Sequence, residues 1–115
     1  MRVNTEITVG ASPVNVLTGL TTACAEGTIL RADHAVVQML HGGSGLGYVM
    51  AGVPLGTVAS VSNAAHLTAE LAPATAAAPG GSYTERDNYG TNIAQLWVHG
   101  ANPGDTIKVS YRPKA

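Results

Sequence analysis

Ala94-Gln95-Leu96-Trp97-Val98-His99-Gly100-Ala101-Asn102-Pro103-Gly104-Asp105-Thr106-Ile107-Lys108-Val109-Ser110-Tyr111-Arg112 decides the fold class. Ala94, Leu96 and Val98 alternate with Gln95, Trp97 and His99; Ile107, Val109 and Tyr111 alternate with Lys108, Ser110 and Arg112. A period of two puts the apolar side chains on one face of an extended chain, which predicts two half-buried strands. Between them, Asn102-Pro103-Gly104-Asp105 suits a type II turn, because proline presets φ at the second position and glycine tolerates the positive φ of the third. The two strands read as a hairpin with a somewhat long connection. Pro113 ends the second one, since proline cannot donate to a ladder.

The same pattern recurs upstream. Val3, Thr5, Ile7 and Val9 share one face of a strand, and Arg2, Asn4, Glu6 and Thr8 share the other. Gly10 to Pro13 breaks it, and Val14 and Val16 flank Asn15 in a short second strand. Residues 20–26 read as loop. Thr28 to Arg31 and Ala35 to Leu40 predict two strands, or one bent strand interrupted at Asp33-His34. Leu46 to Val53 predicts a strand with Tyr48 and Met50 opposite Val49, and Thr57 to Val61 predicts another. From Ala64 to Leu71 a helix capped by Ser62 or Asn63 and an alternating strand fit equally well, and both stay open. Pro73 to Gly81 reads as an exposed loop, leading into the surface-like segment from Ser82 to Gly90. The sum is about seven to nine short strands and at most one short helix. That predicts an all-β domain over residues 1–115, a sandwich or barrel, because a sheet with one apolar face must cover it.

Composition agrees. In 115 residues there are 12 Val, 12 Thr, 14 Gly and 6 Pro, the mix of short strands and frequent turns. With no Phe and one Trp, aliphatic side chains must fill the core. Charged residues are 11% and the net charge is -1, so no basic field favours nucleic acid. Met1 to Glu6 has no apolar run behind Arg2, so no signal peptide is expected, and no apolar run is long enough to span a bilayer. A single cysteine, Cys24, cannot form an internal disulfide and reads as a small buried apolar residue.

No catalytic motif stands out. His34, His41, His66 and His99 include no close ligand pair, so no metal or cofactor site is expected. Gly42 to Gly47 fails the spacing of a phosphate loop and no Lys-Ser/Thr pair follows. The candidate contact residues for a protein partner are Arg2, Asn4, Glu6, Tyr83, Arg86, Tyr89 and Trp97. Arg2 to Glu6 either adds as a strand to a neighbour's sheet or forms an ordinary edge strand. Tyr83, Glu85, Arg86, Asp87 and Tyr89 form either a contact loop or a solvated one. Trp97 is either an outward binding anchor, as the alternation taken literally gives, or a filler of the sandwich core with Leu96 turned out.

The order of the pieces carries a resemblance. The strand Thr5 to Val9 runs into Ser12-Pro13-Val14-Asn15-Val16-Leu17; Gly45-Leu46-Gly47-Tyr48-Val49 follows, then Pro79-Gly80-Gly81-Ser82-Tyr83, Leu96-Trp97-Val98-His99-Gly100 and Gly104-Asp105-Thr106-Ile107-Lys108-Val109-Ser110-Tyr111. This resembles the β-sandwich, jelly-roll-like cement or decoration proteins of tailed-bacteriophage capsids, over most of the chain. Residues 57–78 depart from that pattern, being longer and rich in alanine. The resemblance implies a non-enzymatic protein on the capsid surface of the virion, made in the host cytoplasm, that clamps neighbouring subunits of the major capsid protein. It implies no cofactor and carries over no site residues. Symmetric binding sites favour a homo-oligomer, most simply a two-fold dimer. The alternatives are a tail, fibre or head–tail component, or a carbohydrate-binding sandwich in which Trp97 stacks on sugar rings. A cupin-like enzyme is disfavoured by the missing ligand cluster.

Overall fold

A computed structural model of the chain describes residues 2–40, 45–74, 80–85 and 90–114. Among the described residues, nine strands and one short 3-10 helix follow in order: β1 (Val3–Thr8), β2 (Val14–Asn15), β3 (Arg31–Met39), β4 (Gly47–Met50), β5 (Ala69–Leu71), β6 (Ser82–Glu85), β7 (Thr91–Asn92), the 3-10 turn Ile93–Gln95, β8 (Trp97–Gly100) and β9 (Thr106–Pro113). They build two antiparallel sheets. Sheet A runs β1-β9-β3-β6, with β7 also on β3, and sheet B runs β2-β8-β4-β5.

The pairing is nested. The first strand pairs with the last, β2 with β8, β3 with β6 and β4 with β5, and successive pairs fall in alternate sheets. A doubled-over strip rolled in this way is a jelly roll, so the all-β sandwich expected from the alternation is the fold found. The inner faces meet in a core of Ile7, Val9, Val14, Val16, Ala32, Ala35, Val37, Met39, Val49, Leu71, Ile93, Leu96, Val98, Ile107 and Val109.

One strand pair differs from its expected arrangement. The segments around Leu96 and Ile107 are strands, and the turn between them is as read: the Asp105 N–H donates to the Asn102 carbonyl at 3.3 Å and Gly104 has φ +96°. They are not a hairpin, however. β8 bonds β2 and β4, whereas β9 bonds β1 and β3, so residues 101–105 cross between the sheets. Alternation reports which face is buried and says nothing about which strand lies alongside.

The region 28–40 contains one bent strand. The β3–β9 register shifts between Asp33 and Val36, and His34 takes a left-handed φ of 46°. This extra residue reverses the parity, so that Ala32 and Ala35, three apart, both face the core. The expected strand Thr57 to Val61 is not formed, and it belongs instead to the long connection between β4 and β5. Ala69–Leu71 is strand. The helix reading survives only as a single turn, where the Asn63 carbonyl accepts from the His66 and Leu67 N–H groups and its side chain accepts from the Ala65 N–H.

Two buried asparagines anchor the long loop from 16 to 30. Asn15 donates to the Ala94 carbonyl at 2.8 Å, and its Oδ1 accepts from the Leu17 and Thr18 N–H groups and the Cys24 thiol. Asn92 donates to the Thr28 carbonyl, and its Oδ1 accepts from the Leu30 and Ala94 N–H groups. Each amide is satisfied in place, as burial requires.

Candidate protein interface

The two sheets treat their outer faces differently. On sheet B, strand alternation sends Tyr48, Met50 and Trp97 outward, away from Val49 and Val98. The chain covers them itself. Met50, Val53, Ala59 and Trp97 form a second apolar cluster, with Ala23, Val61 and Leu67 packed against it. The loops around 23 and 51–67 therefore roof this face.

Trp97 is corrected on both readings. It points away from Leu96 and Val98, as literal alternation required, and Leu96 stays in the main core. Yet it is 1% exposed, so it presents no surface to a partner. A carbohydrate platform built on an exposed Trp97 loses its central residue. The signal for this lay in Val53, Ala59 and Leu67, whose apolar side chains needed a face to cover.

On sheet A the outer face has no such roof among the described residues. Register aligns its side chains in rows across the strands. Asn4, Ser110, Val36 and Thr84 form one row; Glu6, Lys108, Gln38 and Ser82 form the next. All eight are exposed or half-buried. Arg2 lies at one end, where its Nη1 donates to Ser110 Oγ at 3.0 Å. At the same end Asp33 sits 3.6 Å from Arg112 and 3.5 Å from Lys114. The surface is a pleated panel of hydroxyl and amide side chains around Val36, carrying Arg2, Lys108, Arg112 and Lys114 against Glu6 and Asp33.

Arg2, Asn4 and Glu6 thus share this face along β1, which is an edge strand within the monomer, paired to β9. Tyr83 is not with them. It lies on β6 at the opposite edge, three strand spacings or about 14 Å away. Its ring turns inward and packs against the core. Its hydroxyl donates to the Glu85 carboxylate, and its pKa is pushed up to about 12, first by burial and then by that carboxylate's hydrogen bond and charge. Arg86, Asp87 and Tyr89, like His41 and the glycines 42 and 43, lie outside the described residues.

Other chemistry is sparse. Among the described residues no group of three His, Cys, Asp or Glu side chains could hold a metal ion. Beside β3, Arg31, Glu85, Asn92 and Gln95 line an open cleft of about 160 Å³, below the roughly 300 Å³ at which small-molecule pockets begin. Arg31 there already donates to the Gly90 carbonyl at 3.2 Å. Cys24 is buried. No helix among the described residues is long and apolar enough to cross a membrane.

Compared with protein-family models, curated proteins and solved structures, the chain matches none of them.

Proposed function

We propose that this chain is a non-enzymatic structural protein of a phage head, a cement or decoration protein that docks on the major capsid protein and staples neighbouring subunits. The observation that carries this reading is the contrast between the outer faces: loops roof sheet B, whereas the rows Asn4-Ser110-Val36-Thr84 and Glu6-Lys108-Gln38-Ser82 of sheet A carry no cover among the described residues. Ser82, Thr84 and Ser110 lose less rotamer entropy than long side chains when another protein covers them, and their hydroxyls can be re-paired by hydrogen bonds to that partner. The resemblance in the order of strands and turns supplies the partner. Many equivalent weak contacts over a shell make a firm attachment, since bridging two subunits turns the second contact into an intramolecular one.

The experiment is direct. Expanded shells lacking this protein are mixed with the purified chain and sedimented. Saturable co-sedimentation at about micromolar concentration is expected. Protein left wholly in the supernatant would overturn the proposal.

A further inference from the structure

We propose that β1 is a self-pairing edge: two copies of the chain join their β1 strands antiparallel about a two-fold axis at Asn4, fusing two A sheets into one. This does not rest on the capsid reading.

Ladder parity identifies the open groups. The Val9 N–H donates to the Asp105 carbonyl at 2.9 Å, and the register with β9 runs without a shift from Val3↔Tyr111 to Thr8↔Thr106. In an antiparallel pair, backbone groups face the partner at every second residue. Residues 3, 5, 7 and 9 therefore face β9, and Asn4, Glu6 and Thr8 direct their N–H and C=O groups to the open edge. Among the described residues no other strand bonds them. β1 has six residues without proline or bulge, the devices that commonly blunt an edge. Among the described residues the other edge strands are shorter: four residues in β6, three in β5 and two each in β2 and β7.

Charge selects the register. Centring the pair on Glu6 sets two carboxylates against each other. Centring it on Thr5 sets Arg2 against Thr8 and Asn4 against Glu6, with no ion pair. Centring it on Asn4 sets Arg2 against the partner's Glu6, twice by symmetry. On the outer face Glu6, flanked by Lys108 of its own chain, then meets the partner's Arg2, which lies level with Arg112 of its own β9 and donates diagonally to Ser110 Oγ. On the inner face Val3 meets the partner's Thr5, and both positions are half-buried in the single chain. This register forms about six new backbone hydrogen bonds. The two charges that discourage pairing with an arbitrary strand fit their own copy in one alignment.

Sedimentation velocity on the full chain tests this. A concentration-dependent dimer is expected. Arg2→Glu and Glu6→Arg should each weaken it about tenfold or more, because each puts like charges opposite one another twice, and the double variant should restore it to within a few-fold. Circular dichroism checks that all three remain folded. As an independent variant, Asn4→Cys should form a disulfide-linked dimer on oxidation, since paired Cα atoms lie about 5.5 Å apart in this ladder, whereas Thr8→Cys should not. A chain that stays monomeric to about millimolar concentration, single reversals without effect, a double variant that fails to recover, or an Asn4→Cys variant that does not cross-link would each overturn the proposal. Shell binding is not read in any of these, so a failure here is distinct from a failure of the capsid proposal.

Discussion

Trp97 and His99 neighbour one another on the outer side of sheet B and make opposite demands. Burying the indole removes roughly 200 Å² from water. Trp97→Ala should therefore cost about 3–5 kcal/mol, a large part of the stability of a domain this size, read as a lower urea midpoint. A cost under about 1 kcal/mol would mean that the loop over it is not a packed roof. His99 lies 6.4 Å from the Tyr48 ring, centroid to centroid. Its Nδ1 is buried without a hydrogen-bond partner among the described residues, and burial lowers its pKa below the ordinary 6.5. A histidine whose folded pKa is depressed is held neutral, so the unfolded chain binds the proton first as pH falls. Its contribution to stability is complete above pH 6.5 and is lost as pH drops from there towards the folded pKa. Thermal midpoints measured from pH 7.5 to 5 should fall, and His99→Gln should flatten that slope. Alternation made the outward direction of Trp97 legible. It could not show the roof, because what covers that face comes from residues as distant in the chain as Ala23, Val53 and Leu67.

At the level of elements, β1, β9 and the part of β3 from Ala35 to Met39 are legible because side-chain period and burial agree, and β4 is legible from the period alone. Val49 faces the core while Tyr48 and Met50 face out, as their order implies. The expected strand at 57–61 fails for the complementary reason. Val58 is exposed and Ala59 buried, so the alternation there marks a loop lying on an apolar face and not a ladder. The β8–β9 connection shows the other blind spot: the same turn residues serve a hairpin and a sheet-to-sheet crossing. Gly104 holds φ +96° with no atom near its missing Cβ, so Gly104→Ala should cost backbone strain alone, about 1 kcal/mol and roughly 4 °C in Tm. Gly80 differs. A Cβ there would strike the Ala72 carbonyl and the Met39 side chain, where the end of β5 meets the start of β6. Gly80→Ala should cost more than Gly104→Ala, and equal effects in thermal melts would contradict the close approach.

For the whole molecule, nested pairing explains why the outer face of sheet A was only half legible. The evenness of Arg2, Asn4 and Glu6 placed them on one face of one strand, and that face is the open side of sheet A. Which residues join them depends on β9, β3 and β6 lying alongside, a fact of topology that no local period carries. Ser110, Lys108, Gln38 and Thr84 enter the panel through that topology, and Tyr83 leaves it because the parity of β6 turns it inward. The most direct test of this panel as the adhesive surface is the binding isotherm of Ser82→Arg/Thr84→Arg on expanded shells, beside that of the unaltered chain. Both positions are exposed and lie at the edge away from β1. The account predicts shell affinity reduced about tenfold or more, with Tm and oligomeric state unchanged. Unaltered affinity in that variant would contradict it.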